Sequence, residues 1–250
     1  MNVKIKRTEY FLRLLFPVRC ICCDTILPID TSKEVCTNCQ ESIEVLKEKE
    51  YENLPDCNVS KLFTAFSYEG GIREAIHRLK FNDNPHIASV LIDLSYPLLK
   101  EYLYSLKPCD SQNSFQSSKT STEQSQASKP NYDIVIPAPL HRARKMERGY
   151  NQSELLASCL AVRFKIPMLK KVLIKTVNTA PQSTLGRGER LKNLSGAFHV
   201  NNPNLIEGCK VLLVDDITTT GSTLENCAEA LLNAGAAHVD AYVIAMRRRL

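Results

Sequence analysis

The segment Val211–Leu224 constrains the fold of this chain more than any other part of the sequence. It begins with the apolar run Val-Leu-Leu-Val, continues with Asp215 and Asp216, and passes through Ile217 into a run of hydroxyl residues and glycine. A short apolar run followed by turn residues and a helical pattern predicts a buried strand that leads into a helix. This arrangement is typical of a parallel α/β sheet, in which ligands bind at the carboxyl ends of the strands.

The turn after the two acidic residues has the chemistry of a site for a phosphorylated sugar. Its residues are Thr218, Thr219, Thr220, Gly221, Ser222 and Thr223. Hydroxyl groups and the backbone N–H groups at a helix N-terminus can hold a phosphate, and glycine lets the phosphate approach the backbone. Asp215 and Asp216 would repel a phosphate, but they can accept hydrogen bonds from ribose hydroxyls or bind Mg²⁺. The alternative is a capping turn in which these side chains only satisfy backbone groups.

Short apolar runs alternate with helical patterns along much of the chain. Predicted strands are 133–136, 171–175, 197–200, 211–214 and 239–246, and predicted helices are 38–49, 71–80, 85–106, 151–164 and 222–234. The alternation predicts an α/β fold with a parallel sheet and helices on both faces. Residues 109–130 are rich in Ser, Gln and Thr and predict a solvated insertion within one domain, because neither side of it supplies a complete α/β core.

Five of the ten cysteines lie in one short segment near the start of the chain. Cys20 and Cys23 form one C-x-x-C pair, and Cys36 and Cys39 form a second after an interval of twelve residues. Two such pairs supply the four thiolates of a closed, structural zinc site. We therefore predict an N-terminal zinc module over residues 1–50 and a second domain over 51–250. Cys22 could replace Cys20 as a ligand, and the alternatives to a metal are a redox dithiol or free thiols.

Composition and the N-terminus exclude several classes of protein. A hydrophobic fraction of 44% in 250 residues is enough for a sizeable core, which excludes a disordered chain. The net charge of +5 permits an anionic ligand, but the absence of Trp argues against a stacking platform for single-stranded nucleic acid.

The basic N-terminus lacks an export signal and its apolar run is interrupted by Arg13. We predict an amphipathic helix in a cytoplasmic protein; the alternative is a helix on a membrane surface.

A basic segment follows the predicted strand 133–136 and includes Arg142, Arg144, Lys145 and Arg148. One guanidinium group can donate two parallel hydrogen bonds to the oxygens of a phosphate. The segment is therefore a candidate site for an anionic ligand. The alternatives are a solvated basic face or a patch that contacts DNA.

A second basic segment, Gln182–Arg190, combines glycines with Arg187 and Arg190 and has the composition of a mobile lid. Lys80, at the end of the predicted helix 71–80, is expected on the protein surface.

These motifs together resemble the ComF family, whose members join a zinc-binding module to a type I phosphoribosyltransferase-like domain. The apolar run, two acids and Thr-Thr-Gly-Ser-Thr of residues 211–223 are similar to the phosphoribosyl pyrophosphate motif of those transferases. Other similar stretches are 136–140, 148–152 and the residues Gln182, Arg187, Arg190, Asn193 and Phe198. With the cysteine pairs, the resemblance spans nearly the whole chain.

The resemblance implies a function and roles for individual residues. It implies Mg²⁺-dependent binding of phosphoribosyl pyrophosphate and transfer of the ribosyl group to an unidentified acceptor, with Asp215 and Asp216 holding the ribose. The other residues it assigns to the substrate are those of the 218–223 turn, Ala138, Pro139, Leu140, Arg144, Arg148, Arg187 and Arg190. It also implies a link to DNA uptake in natural competence. The alternative is a non-catalytic adaptor that uses the same fold to bind DNA or a helicase-like partner.

Overall fold

Two long apolar runs form the centre of a parallel sheet in the computed structural model. They are β5, Lys210–Thr218, and β6, His238–Met246, and most of their side chains are buried. β1, Leu62–Ser67, pairs with β6, and β2, Ile134–Pro137, pairs with β5. The strand order is therefore β1-β6-β5-β2 and every pairing is parallel, which confirms the predicted fold class.

The structure describes residues 7–46, 58–81, 84–105, 130–177 and 196–247. Strand β1 precedes the Ser-, Gln- and Thr-rich tract in the chain, and the other three strands of the sheet follow it. Segments from both sides of the tract thus contribute to one sheet. Nearly all of the tract lies outside the described residues, and the proposed division of the chain at residue 50 stays a prediction.

Helices cover both faces of this sheet, as predicted. On one face lie α3, Gly70–Phe81, α4, Ile87–Ser105, and α6, Gln152–Phe164, and on the other lies α7, Ser222–Asn233. A hydrophobic core lies on each face of the sheet, the first under α3, α4 and α6 and the second under α7. Alternate side chains of β5 pack into these two cores, because successive side chains of a strand point to opposite faces. Leu212 and Val214 pack in the first core, and Val211 and Leu213 pack in the second.

Three sequence predictions differ from the structure in length. The predicted strand 211–214 continues to Thr218, because the long neighbouring strand β6 extends the ladder as far as Thr218 and Met246. The predicted helix 85–106 begins only at Ile87. The predicted helix 38–49 is interrupted: α2 is Thr37–Ser42, and Val45 forms an isolated bridge with Phe66 of β1, while 47–49 lie outside the described residues.

Several elements differ from the predictions in kind. The basic segment after β2 contains a short helix, α5, Arg142–Arg148, which begins where the His141 side chain accepts a hydrogen bond from the Ala143 N–H. Strands β3, Leu173–Lys175, and β4, Phe198–Val200, form a separate antiparallel pair. They are not part of the parallel sheet that their sequences were expected to join.

The N-terminal helix α1, Arg7–Leu15, has the amphipathic composition predicted for it. Arg13 ties it to the chain that follows by donating to the carbonyls of Ile29 and Thr31 at 2.9 and 2.7 Å. Large apolar side chains on the helix and just after it, such as Phe11 and Phe16, remain exposed. Among the helices that the structure describes, none has the length and apolar content needed to cross a membrane.

Candidate functional site

Two adjacent carboxyl groups lie near the carboxyl end of β5. Asp215 Oδ1 accepts hydrogen bonds from Ser153 Oγ at 2.6 Å and from the Asp216 N–H at 2.8 Å. Asp216 is buried, and its Oδ1 accepts from the Ile217 N–H at 2.7 Å. Burial and the neighbouring Asp216 raise the pKa of Asp215 to about 7, although the hydrogen bond from Ser153 opposes this shift. The two side chains place several carboxyl oxygens near the end of β5.

Lys80 joins this acidic pair from the end of α3. Its Nζ lies 2.6 Å from Asp216 Oδ2, and the two side chains are only 15% and 10% exposed. The expectation that Lys80 lies at the surface is therefore wrong. Neighbouring contacts hold the last turn of α3 at the site: Tyr150 Oη donates to the Leu79 carbonyl at 2.7 Å, and the Arg148 guanidinium lies 5.0 Å from the centre of the Phe81 ring.

The hydroxyl-rich turn is shorter than its sequence suggests. Thr218 is the last residue of β5, and Ser222 already begins α7, so only residues 219–221 lie between the two elements. Gly221 has a φ of +78°, a conformation that glycine adopts without steric cost, and this sharp turn starts the helix directly after the strand. The hydroxyls of Thr220 and Ser222 lie 2.9 Å apart. The turn thus presents hydroxyl groups at the N-terminus of α7, where the helix dipole favours an anion.

The segment after β2 lies beside the end of β5. The Ala138 N–H donates to the Val214 carbonyl at 2.8 Å, and the Ala138 carbonyl accepts from Asn151 Nδ2 at 2.9 Å. Pro139 and Leu140 follow and are half-buried. The predicted pyrophosphate loop is therefore next to the strand that carries the acidic pair.

A second cation, Lys175 at the end of β3, interacts with one of the arginines predicted for the pyrophosphate. Arg144 of α5 is half-buried and interacts electrostatically with Lys175 at the end of β3. Burial and Arg144 lower the pKa of Lys175, and Cys227 and Asp215 act in the opposite direction. The Lys175 ammonium lies 5.5 Å from the centre of the Phe198 ring of β4, so the β3–β4 pair holds this side chain.

Arg148 is engaged at the other end of α5. Its Nη1 donates to Gln152 Oε1 at 3.2 Å while its guanidinium lies over Phe81. Arg187 and Arg190, predicted for a lid, lie outside the described residues.

The four predicted cysteine ligands converge on one point. The sulfur atoms of Cys20, Cys23, Cys36 and Cys39 all lie within 4.8 Å of one another. The Cys23 and Cys36 sulfurs are 3.7 Å apart. Zn–S bonds of about 2.3 Å in a tetrahedron require sulfur atoms about 3.8 Å apart. The cluster can therefore hold a metal ion such as zinc.

Cys22 does not belong to this cluster. It is buried, and its Cβ lies 2.7 Å from where a Cβ on Gly71 of α3 would be. The Cys22 sulfur is not among the four that lie within 4.8 Å of one another. The ligand set with Cys20 is thus the one that the geometry favours.

Known proteins with similar sequences identify the family of this chain. The phosphoribosyl transferase domain family matches residues 150–249. DNA utilization protein YhgH of Shigella flexneri is 32% identical over 184 residues, which cover 74% of this chain and 71% of that protein. Competence protein F of Haemophilus influenzae is 34% identical over 114 residues, which cover 45% of this chain and 50% of that protein. Competence protein ComFC of Bacillus subtilis is 37% identical over 112 residues, which cover 44% of this chain and 43% of that protein. The chain belongs to the ComF family.

The resemblance to the ComF family predicted from the sequence is therefore confirmed. The part that matches the transferase domain contains the acidic pair, the 218–223 turn and Lys175. Lys80 and the cysteine cluster lie before residue 150, so segments outside the domain match also contribute to the metal cluster and to the acidic site.

Ser153 and Lys175 were missed in the sequence. Ser153 directly follows the family-like stretch 148–152, and Lys175 ends a predicted strand just before the glycine- and arginine-containing segment 182–190. A polar residue at the start of a helix and a cation at a strand end are common in surface positions. Neither signal could have selected these residues without the tertiary contacts.

Proposed function

We propose that this ComF protein binds phosphoribosyl pyrophosphate at the carboxyl edge of its sheet and transfers the ribosyl group to an acceptor. The observation that carries the proposal is the position of Asp215 and Asp216 directly before the turn that starts α7. A pentose 5-phosphate likewise combines hydroxyl donors and an anion in one small molecule. Carboxylates accept from the hydroxyls, and the helix N-terminus attracts the anion.

The roles of the two ends of the sugar follow from charge. Asp215 and Asp216 would accept hydrogen bonds from the ribose hydroxyls. Thr220, Ser222 and the backbone of the turn would hold the 5-phosphate, away from the carboxylates that would repel it. The hydroxyl contact between Thr220 and Ser222 supports this role, because either group can turn its proton toward a phosphate oxygen.

The pyrophosphate would lie between the Ala138–Leu140 backbone and the cations Arg144 and Lys175. In the transfer step the bond from ribose C1 to pyrophosphate oxygen breaks, and its electron pair leaves with pyrophosphate. A lone pair of the acceptor forms the new bond at C1, and the acceptor loses a proton. Fixed cations stabilise the negative charge that grows on the leaving group. Mg²⁺ would accompany the pyrophosphate, and the carboxylates of Asp215 and Asp216 are suitable oxygen ligands for it.

A thermal-shift titration with phosphoribosyl pyrophosphate and Mg²⁺ tests the binding step. At a ligand concentration of 100 times Kd, wild-type protein should gain about 2.7 kcal/mol of stability. Asp216→Asn should lose most of that gain, and Glu229→Gln, which changes an exposed acid on α7, should keep it. The absence of any shift in wild-type protein would refute the proposal. Release of pyrophosphate in the presence of candidate acceptors then tests the transfer step.

The relatives named for competence support a role in DNA uptake. The second candidate function is a non-catalytic adaptor for DNA or a helicase-like partner, and the exposed residues Arg142 and Lys145 of α5 favour it. An adaptor should bind DNA with a steep salt dependence, and Arg142→Ala with Lys145→Ala should reduce that slope. Pyrophosphate release with no such DNA binding would favour the enzyme.

We infer that the cysteine cluster holds a structural Zn²⁺. Four thiolate ligands leave no open position for a substrate, which supports a structural rather than a catalytic ion.

A further inference from the structure

The ion pair between Lys80 and Asp216 is unusual in its burial. Lysine is rarely buried unless it is paired, and here both side chains are largely shielded from water while Nζ and Oδ2 are 2.6 Å apart. The contact joins residues 136 positions apart in the chain, so it forms only when α3 packs beside the end of β5. Exposed ion pairs contribute little because water screens them, and this pair is largely shielded from water.

The last turn of α3 is fixed by contacts on either side of Lys80. Arg78 Nη1 donates to the Cys20 carbonyl at 3.3 Å and to Asp24 Oδ1 at 3.1 Å, next to the cysteine cluster. On the other side, Phe81 lies under the guanidinium of Arg148 and the Leu79 carbonyl accepts from Tyr150. The backbone that carries Lys80 is therefore anchored both to the cysteine segment and to the end of α5 and the residues that follow it.

Lys80 binds the one oxygen of Asp216 that no backbone N–H group of the described residues binds. Asp215 Oδ1 is bound by Ser153 and Asp216 Oδ1 by a backbone N–H, whereas Asp216 Oδ2 is bound by Lys80. Two adjacent carboxylates repel each other, and the ammonium group compensates one of the two charges. The ammonium group also orients the Asp216 carboxylate, because it binds Oδ2 while the Ile217 N–H binds Oδ1.

We propose that Lys80 is a positioning residue of the pentose site and acts through Asp216. The inference rests on the proposed function and deepens it, because it assigns part of the sugar site to a helix that lies outside the matched transferase domain. Lys80 holds the Asp216 carboxylate in one orientation, in which it can accept a hydrogen bond from a ribose hydroxyl.

Calorimetric titration of the full chain with phosphoribosyl pyrophosphate and Mg²⁺ tests this role. Lys80→Met should weaken binding about tenfold or more, as loss of a charge-assisted contact does, and Lys80→Arg should stay within about threefold of wild type. The matched control is Lys100→Met, which removes an exposed lysine of α4 and should leave the affinity unchanged. Circular dichroism and zinc content identify variants that fail to fold, and Lys80→Gln then replaces Lys80→Met. Wild-type affinity in a folded Lys80→Met or Lys80→Gln variant would overturn the role.

A double-mutant cycle separates action through Asp216 from direct contact with the ligand. If Lys80 acts through Asp216, Lys80→Met should cause little further loss, less than about twofold, in the Asp216→Asn background. Losses that multiply would overturn the inference, because Lys80 would then contribute independently of Asp216.

The same titrations separate the two proposals. If wild-type protein does not bind phosphoribosyl pyrophosphate, the proposed function fails and the role of Lys80 fails with it. If wild-type protein binds and the lysine variants bind equally well, only the role of Lys80 fails.

Discussion

The hydroxyl of Ser153 donates a 2.6 Å hydrogen bond to Oδ1 of Asp215. This contact connects the start of α6 with the acidic pair on β5. The same turn of α6 is tied to the segment after β2, because Asn151 Oδ1 accepts from the Ser153 N–H while its Nδ2 donates to the Ala138 carbonyl. One short hydrogen-bonded chain thus links the proposed pyrophosphate loop with the proposed ribose site.

Removal of the Ser153 hydroxyl tests this link. We expect Ser153→Ala to weaken binding of phosphoribosyl pyrophosphate by about three- to tenfold, since Asp215 loses the donor that orients it. Calorimetric titration measures the change, and Ser60→Ala, which truncates an exposed serine outside the site, is the control. Equal affinity for Ser153→Ala and wild type would show that the contact does not orient Asp215 for the ligand.

The raised pKa of Asp215 predicts a pH-dependent stability. Burial and Asp216 raise this pKa from 3.8 to about 7, so the protonated carboxyl favours the folded state. That contribution is complete below about pH 4 and is lost as the pH rises through about 7. The stability of wild-type protein relative to Asp215→Asn should therefore decrease between about pH 4 and about pH 7 and level off above that.

Urea unfolding at a series of pH values measures this difference. Asp30→Asn, which changes an exposed carboxyl group, is the control and should show no comparable trend. A difference between wild type and Asp215→Asn that stays constant over this range would contradict the raised pKa.

The central part of the fold could be predicted from the sequence because its signals are local. The apolar runs of β5 and β6 and the 3.6-residue periodicity of α6 and α7 specify their own structure. The weaker elements depend on partners far away in the chain. β1 is recognisable mainly through its pairing with β6, and the antiparallel partnership of β3 and β4 depends on Leu173 meeting Val200 across a long interval.

The candidate site divides in the same way. Asp215, Asp216 and the following turn are contiguous, so their chemistry is visible in the sequence. Lys80 looks like an ordinary basic residue at a helix end, and only the packing of α3 brings it to Asp216. The cysteine cluster was predictable because the two C-x-x-C turns each orient a pair of sulfurs without distant contacts.

Lys175 should contribute to binding of the pyrophosphate group. Its half-buried side chain interacts electrostatically with Arg144 and places its ammonium 5.5 Å from the centre of the Phe198 ring, and a cation held in this way gains strength from the low local dielectric. We expect Lys175→Met to weaken binding of phosphoribosyl pyrophosphate by about tenfold, and to weaken binding of ribose 5-phosphate much less. Lys171→Met, which changes an exposed lysine on the same segment, is the control. An equal loss for both ligands would mean that Lys175 does not act on the pyrophosphate.

Loss of the cysteine cluster should destabilise the protein through loss of its metal. We expect purified wild-type protein to contain about one zinc ion per chain, and Cys36→Ser to contain much less and to melt at a lower temperature. Cys159→Ser changes a half-buried cysteine of α6 outside the cluster and should retain its zinc. Elemental analysis and thermal unfolding, with and without a chelator, provide the measurements. Zinc content that does not depend on Cys36 would exclude the proposed ligand set.

Gly71 of α3 packs closely against Cys22 of the cysteine segment. A Cβ at this position would lie 2.7 Å from Cβ and 3.0 Å from Sγ of Cys22, so α3 or the cysteine segment must move to admit it. Alanine otherwise favours a helix more than glycine does, and simple helix propensity predicts that Gly71→Ala is stabilising. We expect a loss of about 1–3 kcal/mol instead, because overpacking outweighs propensity.

The displacement of α3 should also reach the sugar site, since the last turn of this helix carries Lys80. Urea unfolding and titration with phosphoribosyl pyrophosphate should therefore both change in Gly71→Ala. Glu74→Ala, an exposed change on the same helix, should alter neither by a comparable amount. Lower stability with unchanged affinity would show that α3 can shift against the cysteine segment without moving Lys80 away from Asp216.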